Sequence, residues 1–142
     1  MHELVKRRMA AWEALQEEAR AYVRELAAKL EISAAAIAGS VARGDFRAGS
    51  DIDVVIVSDA LPADPLQRQD LLWSIDISRV EPKGYTRTEF LERLRRGDPL
   101  VRESVDAGII LLDPEHFLAS LRARSRPETP VHRQGLPERP TT

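Results

Sequence analysis

The sequence predicts a mixed α/β (α+β) fold in which helices flank a small mixed β-sheet, with one long helix at the N-terminus. Three observations predict it. Apolar residues recur at helical spacing from Glu3 to Leu30, and short runs rich in small or β-branched residues begin or end at glycine or aspartate. Proline or an aspartate–proline pair stands where helices should begin after those runs.

From Glu3 to Leu30 the apolar positions Leu4, Ala11, Leu15, Ala19, Tyr22, Val23, Leu26 and Leu30 recur at helical spacing with charges on the other faces, so one amphipathic helix is expected. Ala34 to Ala38 is short and apolar and runs into Gly39-Ser40, which suits a buried strand stopping at a turn. Phe46 to Ser50 is a polar, glycine-containing connection. From Ile52 to Val57, five of six residues are β-branched, Asp53 being the exception, and this is the strongest strand signal in the chain; the strand is expected from Asp51 to Val57.

Residues 59–65 form a loop, and Leu66 to Trp73 a short helix entered through Pro65. A further strand is expected between Ile75 and Glu81. Thr86 and Glu89 have capping-box spacing ahead of Phe90, Leu91 and Leu94, and Gly97 can end that helix in the left-handed conformation. Asp98-Pro99 starts another helix closed by Gly108, Ile109 to Leu112 is a short strand, and Asp113-Pro114 repeats the cap-then-proline entry for a last helix through about Arg122. From Ser125 onward, prolines at 127, 130, 137 and 140 and a shortage of large apolar residues predict a disordered tail. The expected division is therefore a folded domain over 1–124 and a tail over 125–142.

A chain of 142 residues, 43% hydrophobic and 31% charged, has the size and composition of one soluble globular domain. No apolar run approaches the roughly 20 residues that span a membrane. The first residues carry Glu3, Lys6, Arg7 and Arg8 without an apolar stretch, unlike a secretory signal, so a cytoplasmic location is expected. The absence of cysteine excludes disulfides and thiolate metal sites, and leaves three histidines and the carboxylates as ligands, which favours hard metals. A net charge of −2 gives no overall attraction to nucleic acid or to an anionic membrane.

The informative pattern is Gly39-Ser40, then Asp51-Ile52-Asp53 after ten intervening residues. Residues two apart in a strand share a face, so Asp51 and Asp53 project side by side while Ile52 turns to the core. Two neighbouring carboxylates repel, and a divalent cation between them relieves the repulsion; magnesium is commonly held by one or two carboxylates plus substrate phosphates. Gly39 has no side chain to block a phosphate, and the amides after it, with the Ser40 hydroxyl, can donate to phosphate oxygens. Arg43 follows at a distance that lets its guanidinium reach the same phosphates.

Gly39-Ser40-Val41-Ala42-Arg43-Gly44-Asp45, followed by Ser50-Asp51-Ile52-Asp53, resembles the signature of the minimal nucleotidyltransferases of the DNA polymerase β superfamily. The likeness is strong from about Ala34 to Val57, and looser at Gly84-Tyr85-Thr86, Glu89-Phe90 and Gly97 to Val101. It implies the nucleotidyltransferase fold, two Mg2+ ions, and a nucleoside triphosphate substrate. A nucleoside monophosphate, AMP from ATP, passes to an acceptor hydroxyl with release of pyrophosphate. Carried onto this sequence, the resemblance makes Asp51 and Asp53 catalytic metal ligands, and Gly39, Ser40, Arg43 and Ser50 the nucleotide-binding residues. The family also uses a third carboxylate on a neighbouring strand, for which Asp76 and Glu81 are the candidates. Glu81 stands where related sequences place their acid and is assigned the catalytic, metal-binding role; Asp76, between Ile75 and Ile77, has the better strand context.

The chain shows no obvious second domain to bind an acceptor. The resemblance implies a separate helical protein, such as the HEPN-like ribonuclease toxin that some family members adenylylate as antitoxins, with a homo-oligomer as the other option. The rival reading is a catalytically weak or inactive nucleotide-binding module that acts by complexing a helical partner. The arginines Arg87, Arg93, Arg95, Arg96 and Arg102 read as a solvated helix face, His2, His116 and His132 as packing or surface residues, and Trp12 and Trp73 as core anchors.

Overall fold

The structure, a computed structural model, describes residues 2–77 and 79–125. The expected tail beyond Ser125, with His132, lies outside the described residues. The elements run α1 (His2–Ala27), β1 (Ala34–Ala38), α2 (Gly39–Arg43), β2 (Ile52–Val57), α3 (Pro65–Leu72), β3 (Val80–Tyr85), α4 (Arg87–Arg95), α5 (Pro99–Asp106), β4 (Ile109–Leu112) and α6 (Phe117–Ser125).

The four strands form one sheet in the order β3-β2-β1-β4. β1 is antiparallel to both β2 and β4, whereas β2 and β3 are parallel, a pairing that needs the crossover supplied by α3. Because successive side chains alternate between faces, the β-branched run of β2 covers both sides of the sheet at once. Ile52, Val54 and Ile56, with Ala35 and Ile37 of β1, pack against Leu15, Ala19, Tyr22, Val23 and Leu26 of α1. Val55 and Val57, with Ala34, Ala36 and Ala38, pack against Phe90 of α4, Val101 and Val105 of α5 and Leu118 of α6. Asp53 has the parity of Val55 and Val57, so its carboxylate emerges on the face covered by α4 to α6. The chain also packs tightly after α5: a Cβ on Gly108 would come within 2.7 Å of the Ser104 carbonyl oxygen and 2.9 Å of that of Ile37.

Three side chains of α1, Tyr22, Trp12 and Arg8, tie it to the rest by hydrogen bonds. The buried Tyr22 hydroxyl donates to the Leu72 carbonyl at 2.6 Å, satisfying one of the orphan acceptors at the end of α3, and burial pushes its phenol pKa upward. Tyr22→Phe should lower stability by about 1–2 kcal/mol, read by urea unfolding, because it strands that carbonyl away from water. Nearer the N-terminus, Trp12 Nε1 donates to the Val41 carbonyl at 2.6 Å, and Arg8 Nη2 donates to the carbonyls of Gly44 and Phe46, each at 2.8 Å. Arg8 also lies 4.0 Å from the centroid of the Phe46 ring. α1 thereby clamps the segment that follows β1.

Several expected boundaries move. The first helix ends at Ala27 rather than Leu30, its last carbonyls turning back to Ala28, Lys29 and Leu30 amides. The strand expected between Ile75 and Glu81 is β3, over Val80–Tyr85. Its parallel register with β2 extends to Val57↔Tyr85, and Pro82 is tolerated there because β3 is an edge strand. Asp76 therefore sits in the exposed connection before the strand. The last helix begins at Phe117, not at Pro114, since Asp113 reaches over a turn to accept from the Leu118 and Ala119 amides while His116 takes a positive φ of 59°. Trp73 is no core anchor: it is 51% exposed, just past the end of α3. The capping box at Thr86 and Glu89 forms as the spacing predicts, and Gly97 has a φ of +80° after α4.

Candidate active site

The site is assembled where three adjacent strands bring their chemistry into one row. β1 ends at Ala38, whose register partner on β2 is Asp53, and the partner of Asp53 on β3 is Glu81. Immediately after Ala38 the chain turns at Gly39, with a φ of +74°, into the short helix α2. A Cβ on Gly39 would lie 2.5 Å from Asp53 Oδ2, so glycine is required twice over, for the left-handed backbone and for the close approach of the carboxylate.

The electrostatics follow from that crowding. Burial, foremost, together with the nearby Glu81 carboxylate, holds the Asp53 pKa above the ordinary aspartate range, and Lys83 partly offsets the shift. Lys83 Nζ stands 3.6 Å from Asp53 Oδ1 and 3.5 Å from Glu81 Oε2, one ammonium shared between two acids. Asp51 is exposed, one residue before β2, and Ile52 between the two aspartates is fully buried, as alternation requires.

The turn after β1 is held by acids as well. Arg43 Nε donates to Asp45 Oδ2 at 3.2 Å, and its Nη1 donates to Glu103 at 2.9 Å to Oε2 and 3.2 Å to Oε1. Glu103 Oε1 also accepts from the Gly39 amide at 3.2 Å. The Ser40 carbonyl accepts from the Gly44 and Asp45 amides, closing α2. Ser50 is engaged in its own loop, where its Oγ accepts from the Arg47 amide at 2.8 Å. The structure thus brings Gly39, Asp53 and Glu81 together, sets Ser40 and Arg43 on the adjoining helix, and leaves Asp76 outside the sheet.

Sequence reasoning missed Lys83 and Glu103. Lys83 lies two residues beyond Glu81 on the same strand face, a relation visible only once β3 is given its correct span. Glu103 comes from α5, 64 residues beyond Gly39, and no local spacing signals that contact. The arginines on α4 and at its C-cap behave as a solvated face: Arg93 pairs with Asp98, and Arg95 and Arg96 both pair with Glu92.

The residues present fit a hard divalent cation. Their donors are carboxylate oxygens, one of them desolvated, crowded by a second acid and packed against the bare Cα of Gly39. Among the described residues no three histidine, aspartate or glutamate side chains stand close enough to cage an ion by themselves. Such a donor set suits a metal whose remaining ligands are substrate oxygens.

A model of the nucleotidyltransferase domain family matches residues 17–111, a span that holds every residue of this row. The chain belongs to the nucleotidyltransferase domain family. Solved structures share the nucleotidyltransferase fold. A Sulfolobus solfataricus protein assigned as a nucleotidyltransferase is 18% identical with a TM-score of 0.58, over 76% of this chain and 88% of the other. A toxin–antitoxin structure with AMP-PNP is 19% identical with a TM-score of 0.51, over 82% of this chain and 88% of the other. A mutant of the toxin–antitoxin MntA–HpeT, with two aspartates replaced by glutamate, is 17% identical with a TM-score of 0.50, at the same coverage of both chains. No curated protein matches the sequence. Among the described residues no helix of this nucleotidyltransferase domain is long and apolar enough to cross a membrane.

Proposed function

We propose that this nucleotidyltransferase domain, residues 1–124, transfers AMP from ATP to an acceptor hydroxyl and releases pyrophosphate. It does so in the cytoplasm, as the antitoxin of a pair whose helical toxin is the acceptor. The observation that carries the reading is the placement of the Asp53 carboxylate against Gly39 with Glu81 in register beside it. The toxin–antitoxin neighbours, one of them solved with AMP-PNP, support a protein partner and an adenine nucleotide.

In this reading Asp51, Asp53 and Glu81 hold two magnesium ions, which when bound neutralise triphosphate charge and lower the pKa of the acceptor hydroxyl. Gly39 admits the phosphates, the amides after it and the Ser40 hydroxyl donate to them, Arg43 shares their charge, and Ser50 sets the loop that delivers Asp51. Glu81 takes the proton of the acceptor hydroxyl as its oxygen bonds to the α-phosphorus, and the bond from that phosphorus to the bridging oxygen breaks toward pyrophosphate. Positioning and charge neutralisation supply the acceleration.

Lys83 favours a second reading. Its ammonium supplies a cation to both Asp53 and Glu81, as a nucleotide-binding module without catalysis would need. ATP labelled on the α-phosphate separates the two. Incubated with magnesium in extract of the native host, the chain should label one co-purifying protein, with a mass gain of one adenylyl group by mass spectrometry. Nucleotide-dependent protection against thermal unfolding with no labelled protein would establish the module instead.

A further inference from the structure

We infer that Glu103 is a tethered anion that competes with substrate phosphates for the turn after β1, and so sets the affinity of the site for triphosphate. The inference rests on the nucleotide-binding reading of that turn and adds a residue on α5 to it.

Arg43, a donor expected to meet phosphate, is already in use, and so is the Gly39 amide that opens the same turn. Glu103 Oε1 accepts from the Gly39 amide at 3.2 Å, and both its oxygens accept from Arg43 Nη1, at 3.2 and 2.9 Å. An amide has one hydrogen, so phosphate at Gly39 requires Glu103 to leave. A carboxylate that stayed would also face several phosphate charges across about 3–4 Å, a repulsive arrangement in a half-buried site.

The structure shows which part can move. α5 is anchored: Asp98 Oδ1 accepts from the Leu100 and Val101 amides, and Val101, Ser104 and Val105 around Glu103 are buried. The helix is therefore fixed while the glutamate side chain, 22% exposed, has a path to solvent through its own torsions. Arg43, at 50% side-chain exposure, keeps its Nε bond to Asp45 when Glu103 leaves, so the guanidinium remains at the turn. A site whose competent state is only partly populated binds with an affinity reduced by that fraction, and anything that frees the donors tightens binding. A glutamate that merely braced Arg43 would have the opposite effect on removal, since an untethered arginine binds more weakly.

The sign of the change decides. Glu103→Gln preserves the side-chain shape and an oxygen for the Gly39 amide while removing the charge. Its dissociation constants for tripolyphosphate and for AMP-PNP with magnesium, measured by calorimetry at fixed ionic strength, should fall about 5- to 10-fold relative to wild type. Equal or weaker binding by a variant with the wild-type circular dichroism spectrum overturns the inference alone. If Glu103→Gln does not fold, Glu103→Asp, which withdraws the charge by one methylene, is read by the same criterion. Failure of the wild type and the variants alike to bind either probe overturns the nucleotide reading and this inference with it.

Discussion

Asp53→Asn should abolish transfer, lowering the rate by roughly three orders of magnitude or more, and leave the protein at least as stable as the wild type. The two halves of that expectation have one cause. Asp53 is carried by a fully buried stretch of β2 into a place where burial and Glu81 both disfavour its charge, and its pKa is raised accordingly. A carboxylate with a raised pKa is stabilised in the fold when protonated, so its charged form is a cost to stability near neutral pH, and a neutral amide of the same shape removes that cost. The lost partner of Lys83 offsets part of the gain, because that ammonium keeps Glu81 at 3.5 Å. Rate by labelled-nucleotide transfer and stability by thermal unfolding should therefore move apart. A variant that loses both together would mark Asp53 as a structural residue.

Gly39→Ala should lose both together. The residue has a φ of +74°, where a side chain costs about 1–2 kcal/mol, and the added Cβ would lie 2.5 Å from Asp53 Oδ2. Either the carboxylate rotates away or β1 and β2 separate, so a total loss of about 2–4 kcal/mol is expected. Displacing the oxygen proposed to bind metal by about 1 Å should also lower transfer on the order of 100-fold. Gly49 supplies the control: its φ is +83°, yet nothing lies within 4 Å of where its Cβ would be. Gly49→Ala should show the backbone cost alone with transfer intact, and the difference between the two variants, read by urea unfolding, measures the clash at Asp53.

The parts of the fold that were legible in the sequence are those governed by local rules. The periodicity of α1, the β-branched run of β2, the capping box at Thr86 and the glycine after α4 each depend on neighbours within a turn or a strand. The local pattern points to an earlier strand than β3, because Ile75, Asp76 and Ile77 alternate as a strand should, whereas Pro82 and Gly84, unfavourable in strands generally, argue against the segment that forms one. Parallel pairing with β2 decides that register, and it is a long-range term. Trp73 misleads for a related reason, since its size suggests a core and only the end of α3 turns it outward. The Gly39 turn and the Asp51–Asp53 pair could be read because their chemistry is compressed into a short segment. Lys83 and Glu103 could not, because one depends on the true span of β3 and the other on α5 folding back over the turn.

The most direct measurement is the position of manganese in crystals grown with manganese and AMP-PNP. An anomalous peak about 2–2.3 Å from oxygens of Asp51 and Asp53, with phosphate oxygens on its other side toward Gly39, is the expected result. Nucleotide bound with Lys83 still bridging Asp53 and Glu81 and no metal between the aspartates would contradict it.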